Sequence, residues 1–236
     1  MLQRILNLVF PPQCLICDGR VAKHGALCSK CWQSVRFISD PMCDACGLPF
    51  EFDIGSHALC ADCLHTRPLY ARARAAFLYD EKSSRLITRF KYSDQIQLAK
   101  IYGEWLSSAG RELLANTDFL IPVPLHYWRF VQRRFNQSAM LAGEISKNTG
   151  ITHLPNAIKR TRHTKQQTGL TKTQREENVK GAFIIESHHQ VAIKGKNILL
   201  IDDVITTGST IEQCTKALIK SGVAQVNVLT LARAGR

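Results

Sequence analysis

The chain has 236 residues, is 45% hydrophobic and carries a formal net charge of +12 at pH 7. That length and apolar content suit one domain of ordinary size with a small one beside it. No apolar run approaches the roughly 20 residues needed to cross a bilayer, which excludes a membrane-spanning helix.

Residues 1–10 are apolar, with Leu2, Ile5, Leu6 and Val9 on one helical face, so they predict a short docking helix. Arg4 comes early, and the segment meets Pro11-Pro12 rather than a small-residue cleavage site. This argues against a secretory leader and for a cytoplasmic protein.

Eight of the nine cysteines follow as Cys-x-x-Cys pairs: Cys14/Cys17, Cys28/Cys31, Cys43/Cys46 and Cys60/Cys63. Each pair can present two thiolates to one tetrahedral metal, and eight thiolates complete two four-cysteine zinc sites. Disulfides are the alternative, and a reducing cytoplasm disfavours them. Sequential sites would join the first pair to the second and the third to the fourth. Crossed sites would join the first to the third and the second to the fourth. Shorter loops favour the sequential arrangement. With few large aliphatics, this head depends on metal for folding. The closed sites assign the zinc a structural role. His24, His57 and His65 are expected to face solvent.

The boundary falls at Arg67-Pro68, giving a cysteine-rich head, 1–66, and a larger domain, 67–236. The head holds five Lys/Arg and six Asp/Glu, leaving 26 basic and 13 acidic residues in the larger domain. A basic domain of this kind points to phosphate-bearing partners, either nucleotides or nucleic acid.

In the larger domain Ala73 to Tyr79 predicts a strand, 84–92 a helix and 96–115 a longer amphipathic helix. Phe119 to Ile121 predicts a buried strand that Pro122 and Pro124 end. The following segment, His126 to Ser138, is basic and aromatic and leads into a helix to about Lys147. Its Arg133 and Arg134 would face phosphate or pyrophosphate. Trp128 and Phe135 are its expected buried aromatics. Residues 157–181 predict a long polar loop that contains Arg175. Ala182 to Ile185 and Val226 to Leu231 predict further strands, and Cys214 an ordinary buried residue.

Residues 196–212 organise the rest. Ile198 to Ile201 is an unbroken apolar run, as in a strand buried on both faces of a parallel sheet. Asp202 and Asp203 follow at its expected end. Thr206-Thr207-Gly208-Ser209-Thr210 makes a hydroxyl-rich turn, and helical spacing begins at Thr210, with Ile211, Leu218 and Ile219 on one side. A strand, a glycine turn and a helix N-terminus make a phosphate cradle of backbone amides. The aspartates can accept bonds from ribose hydroxyls or hold Mg2+ through water. A plain helix N-cap is the alternative.

This stretch resembles the phosphoribosyl pyrophosphate (PRPP) loop of type I phosphoribosyltransferases. With the four cysteine pairs, Pro122-Val-Pro-Leu125, Gln132-Arg-Arg-Phe-Asn-Gln137 and Gln167-Thr-Gly-Leu170 leading to Arg175, the chain resembles the competence protein F (ComF/GntX) family. The family usually shows Arg-Gly-Phe-Asn-Gln, and Arg134 stands here where that glycine would be. The resemblance implies an α/β protein with a type I phosphoribosyltransferase fold, a mostly parallel sheet flanked by helices, and a small N-terminal double zinc ribbon. It implies Asp202 and Asp203 as catalytic residues at the ribose and Mg2+. Thr206, Thr207, Gly208, Ser209 and Thr210 would bind the 5′-phosphate, and Arg133, Arg134 and Arg175 the pyrophosphate. It also implies the handling of internalised single-stranded DNA during natural transformation, with other DNA-uptake or recombination proteins as partners. An active PRPP-dependent transferase in nucleotide metabolism is the second reading. The residues name no acceptor and no general base.

Overall fold

The computed structural model describes residues 11–92, 97–125, 135–161 and 181–235. Five strands form one sheet: β1 (Ala73–Tyr79), β2 (Phe119–Pro122), β3 (Thr152–His153), β6 (Asn197–Ile205) and β7 (Gln225–Ala234). Their order is β1-β7-β6-β2-β3, and every pairing is parallel. A separate antiparallel pair joins β4 (Ile158–Arg160) to β5 (Phe183–Ile185). Eight helices are described: α1 (Ser29–Ser34), α2 (Ala61–His65), α3 (Ser84–Tyr92), α4 (Gln97–Ala109), α5 (Arg111–Leu114), α6 (Gln137–Thr149), α7 (Ser187–Ile193) and α8 (Ser209–Lys220).

Alternation along the strands divides the core between the two faces of the sheet. Leu199 and Ile201 of β6 join Leu229 and Leu231 of β7 in a cluster with Leu86, Phe90, Tyr102, Leu106 and Leu141 of α3, α4 and α6. Ile198 and Leu200 join Val226 and Val228 in the opposite cluster, with Ile211, Cys214 and Leu218 of α8. The apolar run of β6 is therefore buried on both sides, as its composition predicts.

Several expectations differ from the structure. Residues 157–181 are expected as a polar loop, but Ile158–Arg160 within them form β4, paired with β5. The helix expected over 96–115 ends at Ala109 and restarts at Arg111, because Gly110 lies tight on the sheet. A Cβ at Gly110 would stand 2.6 Å from Leu229 Cδ2, which leaves no room for a side chain there. Ile219 does not share the buried face of α8 and is 46% exposed. That face uses Ile211, Cys214, Thr215 and Leu218, at i, i+3, i+4 and i+7, and Ile219 is rotated off it.

The head repeats one unit twice. In each unit a knuckle carries the first cysteine pair, and the second pair opens a short helix, with Cys28 as the N-cap of α1 and Cys60 as the N-cap of α2. The head docks along β1, whose far side is a sheet edge. Ile38 N–H donates to Ala76 O at 2.9 Å and Ala73 N–H to Ala45 O at 2.7 Å. Covering an edge strand in this way removes an open template for pairing. Trp32, Phe37, Phe77 and Trp105 stack across the seam, with ring centroids 4.6 to 6.3 Å apart. Leu15 and Val35 belong to the main core. The second unit instead buries its own cluster, Cys43, Ala45, Cys46, Cys60 and Cys63.

Candidate metal centres and phosphate-binding site

The eight cysteines of the head form two groups, Cys14/Cys17/Cys28/Cys31 and Cys43/Cys46/Cys60/Cys63, with all four sulfurs of each within 4.8 Å of one another. The arrangement is sequential, as the shorter loops favour. Backbone amides point at the sulfurs: Cys28 N–H at Cys14 Sγ (3.3 Å), Cys46 N–H at Cys43 Sγ (3.5 Å) and Cys60 N–H at Cys43 Sγ (3.4 Å). The closest sulfurs, Cys46 and Cys60, are 3.6 Å apart, far beyond the ~2.05 Å of a disulfide. Burial pushes Cys46 up to about 11 against the pull of Arg233. Burial and neighbouring cysteines also raise Cys31 and Cys63. Four thiolates so close therefore need a cation, and the donor set fits structural zinc. His24, His57 and His65 are exposed and stand outside both groups.

Arginines of the larger domain hold both knuckles. Arg233, on β7, donates to Cys46 O at 2.7 Å and to Cys46 Sγ at 3.3 Å. Arg74, on β1, donates to Asp44 O at 3.1 Å. On the first unit Arg85 donates to Ile16 O and Arg89 to Cys14 O, and both pair with Asp18. Sequence reasoning missed these four arginines. No local spacing marks them, because their partners lie 30 to 187 residues away.

Asp202 and Asp203 lie inside β6, which runs on to Ile205, and not after its end. Asp202 Oδ1 accepts from the Ser138 hydroxyl at 3.0 Å and from Asp203 N–H at 2.9 Å. Burial, and then the charge of Asp203, push Asp202 up to about 7. Asp203 pairs with Lys91 at 2.9 Å. The acid pair thus already draws a cation, which fits a site for Mg2+.

Asn136 and Gln137 build the wall beside this pair. The Asn136 side chain caps α6 by accepting from Ser138 and Ala139 N–H, while its Nδ2 donates to Val123 O at 3.1 Å. Gln137 Nε2 donates to Lys91 O at 3.3 Å. The Asn-Gln of the motif therefore ties the end of β2, the end of α3 and the Ser138–Asp202 contact together. The sequence showed the motif without this reason. Phe135 is half-buried. Trp128, Arg133, Arg134 and Arg175 lie outside the described residues, as does the 1–10 segment.

The turn itself departs from an ordinary cap. Gly208 is left-handed, with φ 78°, and gives α8 no side-chain cap. Only glycine adopts that backbone without strain. Thr207 Oγ1 and Ser209 Oγ bond each other at 2.9 Å rather than the helix amides. The first amides of a helix have no acceptor within it, and the positive dipole end sits there too. The turn can thus receive an anion, and Val204 and Ile205 separate it from the acid pair along β6.

A parallel sheet whose central strand carries an acid pair into a glycine turn and a helix is joined here to a head with two four-cysteine groups. A family model described as double zinc ribbon domain matches residues 5–64, and one described as phosphoribosyl transferase domain matches 136–236. Competence protein F of Haemophilus influenzae is 34% identical over 229 residues, spanning 94% of this chain and 97% of that protein. DNA utilization protein YhgH of Escherichia coli (strain K12) is 32% identical over 232 residues, spanning 96% and 99%. Competence protein ComFC of Bacillus subtilis is 26% identical over 240 residues, spanning 93% and 94%. The chain belongs to the competence protein F family.

Proposed function

We propose that this protein handles internalised single-stranded DNA in the cytoplasm during natural transformation, and that its turn at 206–210 holds the phosphate of a phosphoribosyl ligand. The observation that carries this reading is the N-terminus of α8, where Gly208 offers no side-chain cap and the Thr207 and Ser209 hydroxyls bond each other. The relatives' names, competence protein and DNA utilization protein, support the DNA role. Residues 1–66 act as the zinc-bearing head and 67–236 as the ligand-binding domain.

Asp202 and Asp203 would hold the ribose hydroxyls and Mg2+, and Thr206, Thr207, Gly208, Ser209 and Thr210 the 5′-phosphate. Arg133, Arg134 and Arg175 would face the pyrophosphate. Bound Mg2+ would neutralise charge on the leaving pyrophosphate. The chain's own contribution is positioning and electrostatics, with Ser138 and Lys91 fixing the carboxylates. An active PRPP-dependent transferase is the second reading, and the Asp202-Asp203 pair favours it, since binding DNA alone needs no acids there.

Between residues 126 and 180 there are eleven Lys/Arg and three Asp/Glu. A strand crossing this segment would release counterions as its phosphates are neutralised. Aromatics such as Tyr127 and Phe130 would stack bases at about 1–3 kcal/mol each. Purified protein should therefore bind single-stranded DNA with little sequence preference and duplex more weakly, with affinity falling steeply as salt rises. Arg133→Ala with Arg134→Ala should weaken binding and reduce the salt slope by up to about two phosphate contacts, with zinc content unchanged. Unaltered binding by the double variant across the salt series would move the DNA site elsewhere. No binding by the parent at low salt would favour the metabolic transferase.

A further inference from the structure

The near-neutral charge of the head conceals a division within it. Residues 40–66 contain Asp40, Asp44, Glu51, Asp53 and Asp62 and no Lys or Arg, while the rest of the chain has 31 Lys/Arg and 14 Asp/Glu. A zinc bound by four thiolates would add about two further negative charges to this unit. The second ribbon is thus an acidic lobe on a strongly basic protein.

The same lobe exposes large apolar side chains. Phe52 is 75% exposed, Ile54 60% and Leu64 69%. Phe52 and Ile54 alternate with Glu51 and Asp53 in a built loop. Phe50 N–H anchors it to Pro41 O at 2.9 Å, and Asp53 Oδ1 accepts from Gly55 N–H at 2.9 Å. Asp44 is engaged by Arg72 and Arg74, which leaves Glu51 and Asp53 to set the local field around Phe52. Single exposed apolar residues need no explanation, but several on one small acidic lobe mark an interaction surface.

We propose that the Phe52–Ile54 loop forms a docking surface for a segment of another protein that carries Lys/Arg between apolar anchors. The acidic field repels a nucleic-acid backbone and steers a basic segment, and the exposed side chains supply the contact. A second copy of this chain is basic too, but an acidic lobe of one copy on a basic face of another is a head-to-tail contact that leaves both outer faces open to further copies.

The test uses the full, zinc-loaded chain and a labelled 16-residue amphipathic peptide of Leu and Lys, with a Leu/Glu peptide as control. Despite the protein's overall positive charge, the Leu/Lys peptide should bind at low salt and the Leu/Glu peptide should not bind at this lobe. Phe52→Ser with Ile54→Ser, and separately Glu51→Lys with Asp53→Lys, should each weaken Leu/Lys binding at least tenfold. Zinc content, melting temperature and DNA affinity should stay unchanged in the first pair. The proposal is overturned if the Leu/Lys peptide does not bind, or if the Ser pair binds it as the parent does, which would leave only unspecific charge attraction. Sedimentation of the parent alone is the second arm. Self-association that disappears in the Ser pair would assign the surface to a second copy and overturn the proposal equally.

Discussion

PRPP with Mg2+ should raise the melting temperature of the parent protein, and replacing Asp202 and Asp203 together with Asn should abolish that shift. A ligand at 100 times its Kd stabilises by about 2.7 kcal/mol, which corresponds to a rise of roughly 5–10 °C for a domain of this size. Without the carboxylates the proposed cation would lose its anchor, and the ribose of the proposed ligand would lose an acceptor held in place by Ser138 and the Asp203 amide. Thr207→Val should lower the shift in part, because it removes the hydroxyl paired with Ser209 and crowds the turn. The effect has a pH signature. In the unliganded fold, burial and then Asp203 raise Asp202 to about 7, so its protonated form is the one the fold favours. That contribution is present below pH ~4 and lost as pH rises through ~7. Holding a cation requires the ionised form, so PRPP-Mg2+ binding should tighten between pH 6 and 8, with one proton released per Asp202. The Asp202→Asn protein should lack this component while keeping any that belongs to the ligand's own phosphates. An equal pH dependence in both proteins would remove Asp202 from the site.

Cys60→Ser should lower the metal content from about two zinc ions per chain to about one and unfold the second ribbon. That ribbon buries little besides its own cysteines, Ala45 and the partly covered Leu48, Phe50 and Leu59. Structural zinc contributes about 10–16 kcal/mol of apparent binding free energy in small zinc-dependent folds, so a lost thiolate leaves little to hold it. The damage should reach the large domain. Arg233 is 3% exposed and bonds Cys46 through both its carbonyl and its sulfur. Unfolding of the ribbon removes both of these acceptors, so Arg233 must turn to solvent and β7 loses its cover there. Cys28→Ser should also lose one zinc, but Leu15 and Val35 remain in the main core, so the first ribbon should keep more of its packing. Two zinc ions in Cys60→Ser would contradict the four-cysteine grouping. A parent with no zinc and only one titratable thiol per unfolded chain, that of Cys214, would restore disulfides.

Much of the fold is legible in the sequence because its signals are local. Ile198 to Ile201 identify a doubly buried strand, the Cys-x-x-Cys spacing identifies the knuckles, and Gly208 between hydroxyls identifies the turn. What was not legible depends on distant contacts. Gly110 breaks a helix because Leu229 presses on it from another strand, and nothing within 96–115 says so. The β6 strand continues through two acids because β7 pairs with it as far as Ile205, overriding the poor strand preference of Asp. The arginines that clamp the ribbons are separated from their partners by much of the chain. At the candidate site, the acid pair and the turn were readable as residues. The parts that orient them, Ser138, Asn136, Gln137 and Lys91, come from two other helices.

The account rests on one edge of the sheet serving both a phosphoribosyl ligand and single-stranded DNA. Titrating PRPP-Mg2+ and a labelled single strand into the same zinc-loaded preparation, each in competition with the other, tests this directly. Both should bind, and saturating PRPP-Mg2+ should weaken the strand's affinity. Failure of the strand to bind at low salt, or binding of both with no mutual effect, would contradict it.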